Sequence, residues 1–161
     1  MVRWCVGDLS ERLDRAVWKR HPGAQAAFCW MVFQVSFPDL SGFLPEFLPF
    51  SLRFVDDWET GNKVGESHEF ELTHATCISL LKVRGVHCLR HIVKNVSPTE
   101  LKWHGRSDLI EDTFMQLLSV REAELVAVLM PAFLDFVGVI GRQDFLRYAN
   151  LNHRFTSIDA Q

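Results

Sequence analysis

The run Phe43-Leu44-Pro45-Glu46-Phe47-Leu48-Pro49, continuing through Asp56-Asp57 to Thr60-Gly61-Asn62-Lys63-Val64, decides how the rest of the chain is read. Pro45 suits the first turn of a helix, where its missing N–H has no partner to lose. Pro49 follows about one turn later and is expected to kink the entry. Phe47, Leu48, Leu52 and Val55 then fall at helical spacing. Asp56-Asp57 closes that helix, and Thr60-Gly61-Asn62 supplies a turn into the next.

The same logic extends in both directions. Towards the N-terminus, Asp8 and Glu11 have the spacing of a capping box, which predicts a short helix over 9–20 ended by His21-Pro22-Gly23. A second helix is expected over 24–35, apolar on nearly all faces and broken by Phe37-Pro38. Towards the C-terminus, Val86, Leu89, Val93 and Val96 line one stripe of a helix over 86–96. Ser97-Pro98-Thr99-Glu100 then reads as cap, first position and reciprocal acid, starting a short helix that stops near Gly105. Ser107 and Asp108 open a further helix with Ile110, Phe114, Leu117 and Leu118 as its stripe. Arg121-Glu122 marks a turn, and 122–139 forms a last strong helix in which Pro131 is expected to introduce a kink. From 141 to 161 the composition is mixed and polar with weak periodicity, and a weakly structured tail is expected.

No segment alternates as a strand does between turn signals. The ambiguous stretch is 64–84, where Phe70-Glu71-Leu72-Thr73-His74 alternates briefly and Cys77-Ile78-Ser79-Leu80-Leu81 is apolar and partly β-branched. A Pro-led first helix, an acidic turn, and a basic residue plus Val opening a second helix make the pattern of a HEAT-type repeat. In that pattern the Asp caps the second helix and pairs with the Lys. The fold class is therefore all-α, a HEAT/ARM-like α-solenoid fragment of antiparallel helix pairs, with a closed helical bundle as the alternative. The expected organisation is one helical-repeat segment over 1–140 and the tail over 141–161.

Composition narrows the function classes. Among 161 residues, 48 % are apolar, so a core can form. Thirteen Phe and five Trp against one Tyr are aromatics lacking a hydroxyl, which need burial internally or against a partner. A net charge of −3 with scattered basic residues gives nucleic acid no footprint. The apolar run 26–33 is eight residues long, far short of the roughly 20 a bilayer requires, so neither a transmembrane helix nor a targeting peptide is expected. The cysteines at 5, 29, 77 and 88 form no CxxC pair. Cys29 reads as a small buried hydrophobe, and reduced thiols fit a cytosolic or nuclear compartment.

Candidate chemistry is sparse. His68-Glu69 and His74 invite comparison with a zinc-protease helix, but those histidines must be four apart, and six apart places them about 240° around a helix. His87 and His91 are four apart with Cys88 between them, yet no third ligand has useful spacing. With Lys94 they lie away from the Val86/Leu89/Val93 stripe and read as a solvated or partner-facing edge. Asp56-Asp57 reads as turn and cap, Glu111-Asp112 as an exposed helix face, and no Ser or Cys stands in a nucleophile elbow. No catalytic residue, metal ligand or cofactor site is assigned. Trp4, Trp18, Trp30, Trp58 and Trp103 are core by default, and any that are exposed become protein-contact candidates.

Two stretches resemble a known family. The first is His21-Pro22-Gly23-Ala24 through Phe28-Cys29-Trp30 and Gln34-Val35. The second runs from Phe43-Leu44-Pro45 through Asp56-Asp57-Trp58-Glu59-Thr60-Gly61-Asn62-Lys63-Val64 and resumes at Gly85-Val86-His87-Cys88-Leu89-Arg90-His91-Ile92-Val93-Lys94-Asn95-Val96. Together they resemble the Tel-two-interacting protein two family, a subunit of the TTT complex. The resemblance implies an α-solenoid of HEAT/ARM-like helices and a non-enzymatic cochaperone subunit. It implies as partners the other TTT subunits, themselves helical-repeat proteins, the Hsp-ninety machinery and the phosphatidylinositol-3-kinase-related kinases, which serve DNA-damage signalling and telomere maintenance. It implies no cofactor, no nucleic acid and no membrane.

Family members are several times longer, so the chain reads as an internal fragment. The family passes almost directly from the Asn62-Lys63-Val64 segment to Gly85-Val86-His87, whereas here 65–84 intervenes, bracketed by Lys63-Val64 and Lys82-Val83. That stretch is expected to loop out as an insertion, and with the tail it reads as retained non-coding sequence. A generic HEAT/ARM-type adaptor, or a truncated fragment without independent function, are the competing readings.

Overall fold

In the computed structural model the backbone is described for residues 22–56 and 68–141, and the side chains for 23–56 and 80–141. Every regular element among the described residues is helical. The helices are α1 (Pro22–Gln34), α2 (Leu44–Val55), α3 (His68–Asn95), α4 (Pro98–Lys102), α5 (Arg106–Leu117) and α6 (Ala123–Ile140). Short 3-10 turns at Asp39–Phe43 and Trp103–Gly105 lead into α2 and α5. The expected helix over 9–20 and the tail lie outside the described residues.

Local chemistry explains most boundaries. Pro45 stands in the first turn of α2, and the helix continues through Pro49, which is exposed, so its missing hydrogen bond faces solvent. Asp56 caps the C-terminus, its N–H donating to the Leu52 carbonyl at 2.9 Å. Ser97 is extended ahead of Pro98, and its carbonyl accepts the N–H groups of Glu100 and Leu101, both at 3.0 Å. The Ser97 side chain makes no capping bond, so Pro98 and the backbone start α4 without the expected capping box. At the α4–α5 corner Gly105 adopts φ 66°, a left-handed conformation that costs a glycine little. Gly141 does the same at the end of α6, where its N–H donates to the Val137 carbonyl at 3.1 Å.

The stretch 65–84 departs from expectation. From His68 onward it is helix, continuous with the 86–96 stripe, and makes α3 a single helix of 28 residues, about 42 Å long. The looped-out insertion is corrected accordingly. The brief alternation at 70–74 cannot specify a strand without a neighbouring strand edge, whereas helix closes its hydrogen bonds within itself. Lys82 is buried and Leu81 and Val83 pack against the core, so Lys82-Val83 enters the packed part of the helix directly ahead of Gly85.

Helix α3 is the hub, packing against α1, α2 and α6, while α2 also meets α5 and α5 meets α6. These helices share one continuous hydrophobic core. The stripe Val86, Leu89, Val93 and Val96 is buried as its spacing predicts, as are Ile110, Phe114 and Leu117 of α5. Leu118 is only partly buried at the end of that helix.

Helix α6 holds the most apolar stretch of the described chain, not residues 26–33. By length and composition alone it would cross a bilayer. In this fold Leu125, Leu129, Ala132, Phe133, Phe136 and Ile140 form an inner face packed in the core, and Asp135 pairs with α3.

Candidate interaction surfaces

The run Gly85–Lys94 is where α3 joins each of its neighbours. Gly85 meets α2: a Cβ there would lie 2.7 Å from Val55 Cγ2, 3.0 Å from Phe54 Cβ and 3.2 Å from the Ser51 carbonyl oxygen. The absent side chain lets the helices touch backbone to backbone. One turn on, the Cys88 thiol lies beside Cys29 of α1, and both residues are buried. The neighbouring Cys29 thiol and then burial push the Cys88 thiol up. Arg90 meets α6 through an ion pair and hydrogen bond from Nε to Asp135, with Lys94 Nζ 3.8 Å from the same carboxylate. His91 meets the end of α1, where its Nε2 donates to the Val35 carbonyl at 2.8 Å. This satisfies a C-terminal carbonyl that a helix otherwise leaves orphaned.

His87, His91 and Lys94 therefore do not act as one edge. His87 and Lys94 are exposed, whereas His91 is half-buried and turned onto α1 under the Phe33 ring, 5.3 Å between centroids. Side chains at i and i+4 share a face only approximately, and the proximity of α1 captures the more inward of the two histidines. No group of three metal-ligating side chains occurs among the described residues. His68, Glu69 and His74 lie outside the described side chains.

Partial desolvation first, then the Arg90 charge, holds the otherwise exposed His87 below the ordinary value near 6.5. The unfolded chain then binds a proton more readily than the folded one. Stability is at its full value above that pH and declines as pH falls below it. Replacing His87 with Gln should flatten this slope between roughly pH 5 and 6.5. Urea midpoints measured across that range for both proteins check it, and identical slopes would exclude His87 as the cause.

A cavity of about 250 Å³ lies where the end of α2, Lys82 of α3 and the end of α5 meet, lined in part by Asp56, Lys82, Thr113 and Ser119. The exposed turn acid Asp56 and the buried Lys82 of α3 both line it. Both hydroxyls are engaged locally, Thr113 donating to the Leu109 carbonyl at 2.8 Å and Ser119 to the Gln116 carbonyl at 2.6 Å. No hydroxyl–base pair forms among these lining residues. Glu111 is buried, not exposed as its pattern suggested, while Asp112 is exposed.

The outer surfaces are more informative. On α1, Trp30 is 64 % exposed and Phe33 43 %, and Phe37 just beyond the helix is 64 % exposed. The i, i+3 spacing of Trp30 and Phe33 places these two in one row, flanked by the exposed Gly23, Ala26, Ala27 and Gln34 without a charge. Trp103 is exposed at the α4–α5 corner, also at 64 %. Trp30 and Trp103 thus depart from the core default, while Trp4, Trp18 and Trp58 lie outside the described residues. Helical spacing alone cannot separate the two sides of α1, because both are apolar.

The helix-on-helix packing around one core defines the class, an all-α protein, and exposed aromatics stand on its surface. Among known proteins, the chain is similar to TELO2-interacting protein 2. It is 30 % identical to the rat protein (Rattus norvegicus) over 135 residues, 84 % of this chain and 23 % of that protein. It is 30 % identical to the human protein (Homo sapiens) and 28 % identical to the mouse protein (Mus musculus) over the same extents. The resemblance read from the two sequence stretches is thus found by direct comparison, and the chain spans about a quarter of the length of these relatives. No family model and no solved structure matches the chain. The two stretches that carried the resemblance touch in the fold, at Cys29–Cys88 and Val35–His91.

Proposed function

We propose that the chain is a segment of a HEAT/ARM-like α-solenoid that works as a scaffold in a TTT-type complex and catalyses no reaction. The observation that carries this reading is the similarity to TELO2-interacting protein 2 over 84 % of the chain. By this reading a TELO2-like helical-repeat protein is its direct partner. Support for the phosphatidylinositol-3-kinase-related kinases, through the Hsp-ninety machinery, follows from that assembly, in the cytosol or nucleus.

The exposed pair Trp30 and Phe33 on α1 is well suited to a partner helix, because Trp and Phe supply large contact areas at small entropic cost. The test is co-purification of the full chain with TELO2 and the third subunit. Replacing Trp30 and Phe33 together with Ala should weaken retention of TELO2 by roughly tenfold or more, since hot-spot aromatics each contribute about 2 kcal/mol. Because both rings are exposed, the variant should keep the thermal stability of the parent. Retention of neither TELO2 nor the third subunit by the parent chain would reject the reading, and retention of unrelated transport proteins would favour a generic adaptor.

A further inference from the structure

Among the described residues Lys82 is the one basic side chain that is buried, at 9 % exposure, and it makes no ion pair or hydrogen bond. A buried ammonium is costly unless it is paired. Nor is Lys82 Nζ sealed in. Glu46 Oε2 is the only fully enclosed side-chain polar atom without a partner among the described residues, so Nζ opens to the cavity that Lys82 lines. Asp56, exposed at the end of α2, lines the same cavity, and no ion pair joins the two. Opposite charges thus border one space without meeting across it.

The remaining walls define what can stand between them. Thr113 and Ser119 spend their hydroxyl protons on the Leu109 and Gln116 carbonyls, so towards the cavity they offer acceptor lone pairs only. Val55, Leu117 and Val120 supply an apolar wall. The 250 Å³ of the cavity lies just below the range of drug-sized pockets, so its occupant is small.

We propose that this cavity binds a small amino-carboxylate, whose carboxylate meets Lys82 and whose ammonium meets Asp56 and the two hydroxyl oxygens. A short apolar side chain then lies against Val55, Leu117 and Val120. A plain anion would satisfy Lys82 but meet the Asp56 charge, and a plain cation the reverse. With liquid water taking about 30 Å³ per molecule, the space suits a ligand of about eight heavy atoms. The inference is independent of the scaffold reading above, because it concerns a cavity within one chain.

Titration of the full chain with norvaline, followed by methyl NMR, tests this. The methyl signals of Val55, Leu117 and Val120 should shift saturably in roughly the millimolar range, as a ligand of this size allows. Butylamine lacks the carboxylate and pentanoate lacks the ammonium, and each should bind at least about tenfold more weakly. Lys82→Met and Asp56→Asn should each weaken norvaline by a similar factor. Because Lys82 is unpaired, Lys82→Met should keep or raise the urea midpoint of the parent. The ligand series on the parent chain carries the test by itself if either variant unfolds. Absence of a saturable shift up to about 50 mM norvaline, far above the expected range, would overturn the proposal. So would unchanged norvaline binding by a folded Lys82→Met variant. Pentanoate or inorganic phosphate binding as well as norvaline would overturn it too, since the cavity would then be a plain anion site.

Discussion

Replacing Phe28 with Ala should destabilise the protein by about 4 kcal/mol. Phe28 is fully buried in α1, and its ring packs edge-on against Phe47, Phe50 and Phe54 of α2 at centroid distances of 5.8, 5.5 and 5.4 Å. Two terms add. Deleting a buried ring forfeits its transfer free energy and leaves a cavity that three other rings border, which together cost about 3–5 kcal/mol. Edge-to-face pairs contribute further, about 0.5–1.5 kcal/mol each. Small domains have only about 5–15 kcal/mol in total, so the variant should unfold at markedly lower urea. Urea titration followed by far-ultraviolet circular dichroism reads the shift. A loss below about 1 kcal/mol would mean that the α1–α2 contact does not hold the fold together.

The second large effect is expected at Gly85, and its sign is less obvious. In an isolated helix, Ala in place of Gly stabilises by about 1 kcal/mol. Here the added methyl would meet Val55 Cγ2 at 2.7 Å, Phe54 Cβ at 3.0 Å and a backbone carbonyl oxygen at 3.2 Å. None of these can swing aside. Val55 is β-branched and held to one rotamer in a helix, and the other two atoms move only with α2 itself. Relief requires α2 and α3 to part, and overpacking of this kind costs about 1–3 kcal/mol. The net expectation for Gly85→Ala is a loss of about 1–2 kcal/mol in urea titration. Trimming the nearest contact with Val55→Ala should make the Gly85→Ala change less costly than it is alone, a coupling that a double-mutant cycle measures. Stabilisation by Gly85→Ala would show that the two helices have room to spare.

The stretch that resembled a family owes its residue types to packing. Gly85 permits close approach, Cys88 and His91 bind α1, and Arg90 binds α6. Three different neighbours of α3 are served by four nearby residues of distinct chemistry, which makes the run specific. The apolar stripe on the same helix was readable because its positions recur with the helical period. Arg90 and His91 were not, because a charged or polar side chain beside a stripe is solvated or captured according to what packs next to it. The helical state of 68–84 was equally hidden, since its brief alternation and its β-branched residues argue locally for something else.

The sequence by itself determined that the chain is built of helices, where prolines and glycines divide them, and which stripes enter the core. Those features follow from backbone sterics and a period of 3.6 residues, which act over a few turns and need no partner. Only the tertiary structure decided which face of an apolar helix is core and which is surface. On α1 and α6 both faces are apolar, and the choice between Phe28 and Trp30, or between Phe136 and Leu134, depends on where α2, α3 and α5 come to lie. The run from Phe43 to Val64 carries both lessons. Its Pro-led helix and Asp56 turn stand where the local chemistry put them, while the lysine that lines a cavity with Asp56 is Lys82, brought there by the packing of α3 against α2.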